Sequence, residues 1–245
     1  MIIIENLHKK FNDNLVLNGL NLNISKGTSS VIIGRSGSGK SVLLKCILGL
    51  ITPEKGKIRI NEDLIFAEGK FNKNKKTKVG MLFQGGALFD SLKIWENVSF
   101  YYIQKGKSKN FCRKEAVINL EKVGLDEKII NSYPSELSGG MQKRVALARA
   151  IAIKPDIIFF DEPTTGLDPI SADIINKLII EKVRDIGATS LTITHDISSA
   201  RTISDKIHML HKGEIIWEGD KNSIELTDNK YVTDFINGIS DSPID

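Results

Sequence analysis

The segment Gly34-Arg35-Ser36-Gly37-Ser38-Gly39-Lys40-Ser41 decides the fold of this chain. It matches the pattern G-x-x-x-x-G-K-[ST] and lies between an apolar run, Ser30 to Ile33, and a run with helical spacing that starts at Ser41. In this context glycines let backbone N–H groups turn toward phosphate oxygens, lysine brings a charge to the terminal phosphates, and serine offers a hydroxyl to Mg²⁺. The segment therefore predicts a phosphate-binding loop between a strand and a helix.

Apolar runs on both sides of this loop predict the surrounding fold. Residues 1–33 alternate short apolar runs with turns, as strands do, and roughly 85–152 has mostly helical periodicity. Three later runs predict strands that alternate with helices: Ile157–Phe160, Thr189–Thr194 and Lys206–Leu210. This alternation indicates a parallel α/β core with a helical insertion.

We expect one nucleotide-binding domain over residues 1–245. Its core would span about 1–84 and 153–225, its helical subdomain about 85–152, and a short C-terminal extension about 226–245. The sequence contains no internal repeat and no long linker that would favour two independent domains.

Composition excludes the disordered and fibrous classes. The chain has 34 Lys+Arg against 30 Asp+Glu, 41% hydrophobic residues and 26% charged residues, which is typical of a globular protein. Its start turns polar too soon for a signal peptide, and no window approaches the ~18 apolar residues of a membrane span. We expect a chain that neither crosses a bilayer nor is exported.

Two further features of the composition bear on partners and on redox state. Lysine outnumbers arginine by 27 to 7, so we expect no nucleic-acid partner. The basic stretch Lys70 to Lys78 predicts a solvated loop, with an anionic surface such as a headgroup layer as the alternative. Cys46 and Cys112 form no metal-binding or redox motif, which favours a reducing compartment.

Two carboxylates follow the predicted strand Ile157–Phe160. Since side chains alternate along a strand, Asp161 and Glu162 are expected to point in different directions. Asp161 suits the Mg²⁺ shell beside Ser41, and Glu162 suits a water aligned on the γ-phosphate. Taken alone, such a pair also fits a solvated strand end or a helix cap.

A histidine follows another predicted strand. Thr192-Ile193-Thr194-His195-Asp196 delivers His195 to the sheet edge where ligands collect in parallel sheets, which predicts a γ-phosphate contact. An isolated histidine would more often be structural.

A second glycine-containing segment, Leu137-Ser138-Gly139-Gly140-Met141-Gln142, precedes the amphipathic run Lys143 to Ile153. It predicts another anion site at a helix N-terminus. Because the first loop already holds one nucleotide, the second would close over a nucleotide carried by another copy, giving a symmetric dimer with two shared sites. The alternative is a helix that is simply capped by Ser138.

The order of these motifs from residue 2 to about 225 resembles the ATPase subunit of an ATP-binding cassette (ABC) transporter. The resemblance implies an α/β fold with a RecA-like P-loop NTPase core, an antiparallel β-subdomain and a helical insertion subdomain. It also implies the following roles: Gly34–Ser41 as the Walker A loop, Gln84 as the Q-loop glutamine, Ser138, Gly139, Gly140, Met141 and Gln142 as the signature, Asp161 as the Walker B aspartate, Glu162 as the catalytic glutamate, Asp168 of Thr165–Asp168 as the D-loop aspartate, and His195 as the switch histidine.

The same resemblance implies the cofactors and partners. ATP would be held by the Walker A loop with Phe11 stacked on adenine, where the family often carries Tyr, and Mg²⁺ by Ser41, Gln84 and Asp161. Two copies of the chain would sandwich two ATP and drive an integral membrane permease from the cytoplasmic side of the inner membrane, as a peripheral subunit.

Two segments resemble a subfamily. Gln84–Leu92 and Trp95–Val98 are similar to the cassette of the lipid-asymmetry transporters, which move phospholipid with a permease and a lipid-shuttling protein of the mammalian-cell-entry (MCE) type. The alternative is that Leu88, Phe89, Leu92 and Trp95 are the buried face of an amphipathic segment. Tyr231 to Gly238 resembles the start of that subfamily's tail, which often contacts the other subunit, but its periodicity fits packing on the chain's own core equally well.

Three other functions remain open in the sequence. The first keeps the enzyme and changes the cargo to a polar solute such as an amino acid or nucleotide. The second is a non-transport cassette ATPase of DNA repair or translation, which usually has two cassettes or long insertions that are not seen here. The third is an ATP-sensing module without turnover, against which the intact Glu162 and His195 argue.

Overall fold

The structure is a computed structural model that describes residues 1–72 and 76–239. The chain divides into two compact units: unit 1 comprises Met1–Thr77 and Leu191–Asp245, and unit 2 comprises Lys78–Ser190. Residues 73–75 of the basic stretch and 240–245 of the C-terminal extension lie outside the described residues. The expected boundaries of core, helical subdomain and extension stay a prediction.

Eleven strands are described. In chain order they are β1 (Ile2–Phe11), β2 (Asn14–Ile24), β3 (Ser29–Ile33), β4 (Lys55–Ile60), β5 (Asp63–Ala67), β6 (Lys70–Phe71), β7 (Val79–Leu82), β8 (Ile157–Asp161), β9 (Thr189–Ile193), β10 (Lys206–His211) and β11 (Glu214–Asp220).

Eight α-helices and three 3₁₀ helices are described. The α-helices are α1 (Lys40–Leu48), α2 (Ile94–Val98), α3 (Phe100–Gln104), α4 (Lys109–Lys122), α5 (Gly139–Ala152), α6 (Pro169–Ile186), α7 (Ile197–Ile203) and α8 (Lys230–Ile236). The 3₁₀ helices span Glu127–Asn131, Pro134–Glu136 and Ser223–Glu225.

Unit 1 contains an antiparallel sheet with the strand order β2-β1-β4-β5-β6. β1 pairs with β2 in the register Ile2↔Ile24 and Ile4↔Leu22, and these four side chains are buried. A tight turn at Asn12, which has a φ of 52°, joins the two strands, because Asn tolerates left-handed backbone better than most residues. The turn brings Phe11 to the exposed end of the hairpin.

Parallel pairing in unit 1 sets the position of the phosphate loop. β10 runs parallel to β3 in the register Lys206↔Ser30 to Met209↔Ile33, and the Thr194 N–H donates to the Ile32 carbonyl over 3.1 Å. The middle of β3 is a continuous buried apolar run, as expected of a parallel strand covered on both faces. The loops that begin at Gly34 and His195 therefore follow the ends of neighbouring chain segments.

Unit 2 combines one parallel strand pair with a set of helices. β7 and β8 pair from Val79↔Ile157 to Leu82↔Phe160. A Cβ on Gly80 would lie 2.6 Å from the Ala150 carbonyl oxygen, so the packing of α5 on β7 requires glycine there. The predicted helical region 85–152, all of which is described, contains α2 to α5 and no strand.

Most predicted elements are confirmed with small shifts of boundary. The helix expected from Ser41 begins at Lys40 and ends at Leu48, where Gly49 adopts the left-handed conformation with a φ of 79°. Two of the short apolar runs within residues 1–33, Leu15–Leu17 and Leu20–Ile24, form the single strand β2. Strands β5, β6 and β11 were not predicted, and no residue of β11 is fully buried.

Both cysteines are buried and free, as expected. Burial raises the pKa of the Cys46 thiol to about 12, so it remains a protonated thiol at neutral pH. Within residues 1–72 and 76–239, no helix has both the length and the apolar composition that a membrane span requires.

Candidate functional site

The phosphate loop of unit 1 leads into the N-terminus of α1. Gly34, Gly37 and Gly39 have φ values of 157°, 79° and 103°, which give the loop its curvature. Gly39 is the N-cap of α1, and no side chain accepts a hydrogen bond from the first turn. The first N–H groups of an α-helix have no carbonyl partner within the helix, and such groups are the donors that a phosphate needs.

The loop has no room for side chains at two of its glycines. A Cβ on Gly34 would lie 2.4 Å from the Leu210 carbonyl oxygen and 2.9 Å from Ser38 Oγ. A Cβ on Gly39 would lie 3.0 Å from the Val16 carbonyl oxygen. β2 and β10 thus fix the path of the loop from outside.

Polar groups inside the loop fit a phosphate. The Lys40 side chain is only 7% exposed, and its ammonium donates to the carbonyl oxygens of Gly34 and Arg35 over 2.6 and 3.0 Å. Ser38 Oγ is buried and has no hydrogen-bond partner within the described residues. A buried cation and an unsatisfied hydroxyl are the features expected of an anion cradle. Ser41 is exposed on the first turn of α1.

Unit 1 also carries Phe11 and His195. The Phe11 ring is 43% exposed, with the Lys9 ammonium 5.0 Å from the ring centroid, so ring surface is available for stacking. His195 is exposed between β9 and α7. The next residue, Asp196, caps α7 by accepting from the N–H groups of Ser198 and Ser199 over 2.9 and 3.2 Å, which fixes the turn that bears the imidazole.

The tail packs on unit 1 up to residue 239. Val232 of α8 is fully buried, and the Tyr231 ring lies 4.4 Å from the His211 ring. Arg35 of the phosphate loop donates to the Ile239 carbonyl over 2.6 Å. Packing of the tail on the chain's own core is therefore confirmed for α8 and the residues that follow it to 239.

In unit 2, Asp161 and Glu162 lie on either side of the end of a strand. β8 ends at Asp161, and Glu162 has a φ of 47°. Strand alternation therefore does not extend to Glu162, and the expectation that the two side chains point in different directions stays a prediction. Thr165 holds the carboxylate by donating its hydroxyl to Glu162 Oε2 over 3.0 Å.

Lys143 is a site residue that the sequence analysis missed. It lies buried on α5, and its ammonium donates to the backbone carbonyl of Gln84. Burial lowers the pKa of Lys143, and the negative charges of Asp161 and Glu162 act in the opposite direction. A lysine on the face of α5 that also buries Leu147, four residues later, was the signal that could have found it.

The signature segment forms the capped N-terminus of α5. Ser138 Oγ accepts from the Met141 N–H over 3.3 Å, and the Gln142 amide donates to the carbonyls of Pro134 and Leu137 over 2.9 and 3.1 Å. The capped helix, the alternative for this segment, is thus present. Gly139 is exposed and Gly140 half-buried, and a Cβ added at either would make only van der Waals contacts, at 3.9 Å to Leu167 and 3.5 Å to Ser171.

Asp168 is the N-cap of α6. It accepts from the N–H groups of Ile170 and Ser171, each over 3.0 Å. Hydrogen bonding to Ser171 is the main cause that holds the pKa of Asp168 below its usual range. The carboxylate is therefore ionised at neutral pH and fixed at the start of the helix.

The segment after Gln84 is built on two anchors. Arg149 donates to the carbonyls of Gly86 and Ala87, each over 2.6 Å, and the buried Asn97 binds both the N–H and the carbonyl of Phe89. Trp95 is buried whereas the Phe89 side chain is exposed. The alternative of a single buried amphipathic face is therefore wrong.

The structure distributes the predicted site residues between the two units. Unit 1 carries Phe11, the phosphate loop and His195; unit 2 carries Gln84, the signature, Asp161, Glu162 and Asp168. Among the described residues no group of three or more His, Cys, Asp or Glu side chains could hold a metal ion. The donors proposed for Mg²⁺ are oxygens, and Mg²⁺ usually takes one or two carboxylates with substrate phosphates and water.

Comparisons with known proteins show the family to which the chain is similar. Residues 17–165 match the family model described as ABC transporter. The chain is 38% identical over 247 residues to the "Probable ribonucleotide transport ATP-binding protein mkl" of Mycobacterium leprae, covering 99% of this chain and 70% of the relative. It is 37% identical over 246 residues to the "Intermembrane phospholipid transport system ATP-binding protein MlaF" of Haemophilus influenzae, covering 100% of this chain and 93% of the relative.

A solved structure shares the fold. It is a dimeric ATP-binding cassette in a post-hydrolysis state bound to ADP and Pi, with a TM-score of 0.80 and 34% identity. The match covers 90% of this chain and 99% of that chain.

Proposed function

Because this chain belongs to the ATP-binding cassette transporter family and is an ATP-hydrolysing subunit of that family, we propose that it energises the transport of phospholipid or another lipid across a bacterial inner membrane. The observation that carries the lipid assignment is the match to the phospholipid cassette MlaF, which covers all of this chain and 93% of that protein. The similarity of Gln84–Leu92 to the lipid-asymmetry cassettes supports the same assignment.

The ATP-binding roles follow from the contacts in unit 1. Lys40 would exchange its hydrogen bonds to Gly34 and Arg35 for the terminal phosphates, and Ser38 Oγ would gain the partner it lacks. The N–H groups at the start of α1 would receive the β-phosphate region, as at other glycine-rich loops. Phe11 would stack on the adenine.

The hydrolytic roles follow the family resemblance. We assign Mg²⁺ to Ser41, Gln84 and Asp161; when bound, it neutralises charge on the β- and γ-phosphates. Glu162 would accept a proton from the attacking water or align it, with its carboxylate oriented by Thr165. His195 would contact the γ-phosphate, and Lys143 would hold the backbone at Gln84 beside the two carboxylates.

The proposed assembly is a homodimer on a membrane permease. Gly139 and Gly140 at the start of α5 would face the ATP of the second copy, together with Ser138, Met141, Gln142 and the fixed turn at Asp168. The similar solved cassette is dimeric, which supports this arrangement. A lipid-shuttling partner of the MCE type and a position on the cytoplasmic side of the inner membrane complete the proposal.

A polar cargo is the second candidate function. The relative from Mycobacterium leprae is 38% identical to this chain over 99% of its length and carries a ribonucleotide transport name. Purification of the tagged full chain from membranes in mild detergent, followed by mass spectrometry of proteins and lipids, separates the two. A permease with a lipid-shuttling protein and retained phospholipid supports the lipid cargo, and a polar-solute permease or soluble binding protein overturns it.

The catalytic assignment is tested with Glu162→Gln. Loss of the carboxylate should lower ATP turnover by about 10²-fold or more while ATP binding persists, because Glu162 is assigned to the water and not to the nucleotide. Glu121→Gln, an exposed carboxylate of α4 in the same unit, is the matched control and should leave turnover unchanged. Near wild-type turnover in the Glu162 variant would contradict the assignment.

A further inference from the structure

A run of uncompensated positive charge lies on unit 2, between α3 and the first turns of α4. Five cations and no carboxylate occur between Gln104 and Glu115: Lys105, Lys107, Lys109, Arg113 and Lys114. Within the described residues none of the five forms an ion pair, although carboxylates elsewhere in the chain pair with lysines such as Lys128 and Lys177. Positive and negative side chains do not alternate in this run, whereas they usually do on a solvated helix face.

Exposed apolar side chains share the same stretch. Tyr101, Ile103 and Phe111 are 39%, 37% and 39% exposed. The Lys105 ammonium lies 5.7 Å from the Tyr101 ring centroid, and the Lys107 ammonium lies 6.0 Å from that of Phe111. Cations and exposed rings therefore occupy one continuous surface, which we call the 101–114 strip.

Ring contacts and a hydrogen bond within unit 2 support the strip. Tyr102 packs edge-on against Phe111 with ring centroids 5.2 Å apart, and its hydroxyl donates to the Ala152 carbonyl over 2.7 Å. The Arg113 guanidinium lies 5.5 Å from the ring centroid of the buried Trp95. The exposed groups are thus presented by packed neighbours and not by a free loop.

A neighbouring groove is less suited to an anionic partner. This cavity of about 710 Å³ between α4 and the 3₁₀ helix at Glu127–Asn131 is lined by Arg113, Lys114 and Lys128, but also by Glu121 and Glu127. Arg113 and Lys114 of the strip thus share this groove with carboxylates, and the positive charge of the strip outside the groove is that of Lys105, Lys107 and Lys109. The strip is the surface with charge complementarity to an anionic partner.

We propose that the 101–114 strip binds the anionic phospholipid headgroups of the membrane surface. The strip combines lysines with exposed aromatic and aliphatic side chains. This combination suits a headgroup layer, in which amphipathic rings lie at the interface and cations face phosphates. This contact rests on the proposed function, since a transporter ATPase works beside a bilayer. The strip would contact lipid directly, in addition to the attachment of the chain to the membrane through a permease.

Vesicle sedimentation of the full chain tests the strip without ATP turnover. The chain should sediment with vesicles that contain phosphatidylglycerol and not with vesicles of phosphatidylcholine alone, and added salt should weaken this binding. The triple variant K105Q/K107Q/K109Q should bind the anionic vesicles about tenfold more weakly or worse. Ile103→Ser should also weaken binding, which long-range charge attraction alone would not produce.

The matched control removes the same charge from the other basic stretch. K70Q/K76Q/K78Q should bind as the unaltered chain does, and all variants should retain ATP turnover, which shows that they fold. Equal loss in both triple variants, no loss in either, or equal binding to neutral vesicles would overturn the proposal. So would a strip variant that loses only its co-purifying permease, because the strip would then contact protein.

These outcomes distinguish failure of the strip proposal from failure of the proposed function. A chain that hydrolyses ATP and does not bind anionic vesicles overturns the strip alone. A chain that binds them through the strip and does not hydrolyse ATP supports the strip and contradicts the assigned catalytic residues.

Discussion

Two glycine-containing segments precede helices in this chain, and they use their glycines differently. In the phosphate loop, Gly34 and Gly39 have positive φ values and lie against the backbone of β10 and β2. In the signature segment, Gly139 and Gly140 are the first residues of α5 and have no atom closer than 3.5 Å to an added Cβ. The first pair of glycines is required by backbone conformation and close contact, and the second pair has room for a Cβ at van der Waals distance.

The N-termini of α1 and α5 also differ in how they are capped. Gly39 caps α1 without a side-chain hydrogen bond, whereas Ser138 caps α5 with its own hydroxyl. A loop that binds its own nucleotide must keep its donors free in the folded monomer. A surface that meets a nucleotide only in a dimer must be stable before the partner arrives, and the serine cap supplies that stability.

The largest expected effect is that of Gly34→Ala. Its Cβ would meet the Leu210 carbonyl oxygen at 2.4 Å in a backbone conformation that L-residues rarely adopt. We expect the free energy of unfolding to fall by roughly 2 to 5 kcal/mol and ATP binding to be lost. Urea unfolding and ATP titration measure the two.

Gly37→Ala is the control for that variant. Gly37 has a φ of 79° but nothing within 4 Å of an added Cβ, so only the conformational strain of about 1 kcal/mol applies. Equal destabilisation by the two variants would show that φ, and not contact with β10, makes glycine necessary at position 34.

The second largest expected effect is a loss of stability at acid pH, which should arise in unit 1. All four histidines, His8, His195, His208 and His211, belong to unit 1. Burial lowers the pKa of His208 to about 4; the negative charge of Glu218 acts to raise it, and the positive charge of Lys206 acts to lower it further. His208 precedes Leu210, the residue that confines Gly34, by two positions in β10.

The folded chain therefore binds fewer protons at His208 than the unfolded chain does. The stability contributed by the neutral imidazole is fully present above about pH 6.5 and is lost as the pH falls toward 4, by about 3 kcal/mol. Urea unfolding between pH 7 and 4 measures the decrease, and His208→Leu should make it smaller. An equally steep decrease in that variant would assign the acid sensitivity to other groups.

The same contrast explains what the sequence could predict. The phosphate loop, α1 and β8 are local: their glycines, spacing and apolar runs lie within a few residues of one another, and the structure confirms them. The contact of Lys143 with Gln84 joins residues 59 positions apart, and no local pattern encodes it. The left-handed backbone of Glu162 is likewise imposed by its surroundings, because glutamate has no intrinsic preference for that conformation.

The third expected effect is that of Gly140→Ala, which should raise stability and lower turnover. Alanine is favoured over glycine in a helix by up to about 1 kcal/mol, and the nearest atom to the new Cβ is 3.5 Å away, so the fold should not suffer. A methyl group on a surface that must meet a partner's nucleotide should lower ATP turnover about tenfold or more.

Asn110→Ala is the matched control for Gly140→Ala, because Asn110 is the second residue of α4 as Gly140 is of α5. Turnover should be unchanged in it. If Gly140→Ala hydrolyses ATP normally, the surface of the signature at Gly140 has no part in the reaction.

The smallest expected effect separates the two roles of Ser138. Ser138→Ala removes a cap and should lower the free energy of unfolding by about 1 kcal/mol, and turnover should fall as well. Ser138→Asn keeps a side-chain acceptor that caps helices well and should restore stability, but its larger amide should not restore turnover. Ser108 caps α4 through the same 3.3 Å contact, to the Phe111 N–H, so Ser108→Ala should cost the same stability and leave turnover intact. If Ser138→Asn restored both stability and turnover, the Ser138 hydroxyl would act only as the cap of α5. The signature segment and the phosphate loop would then differ only in how their helices are capped.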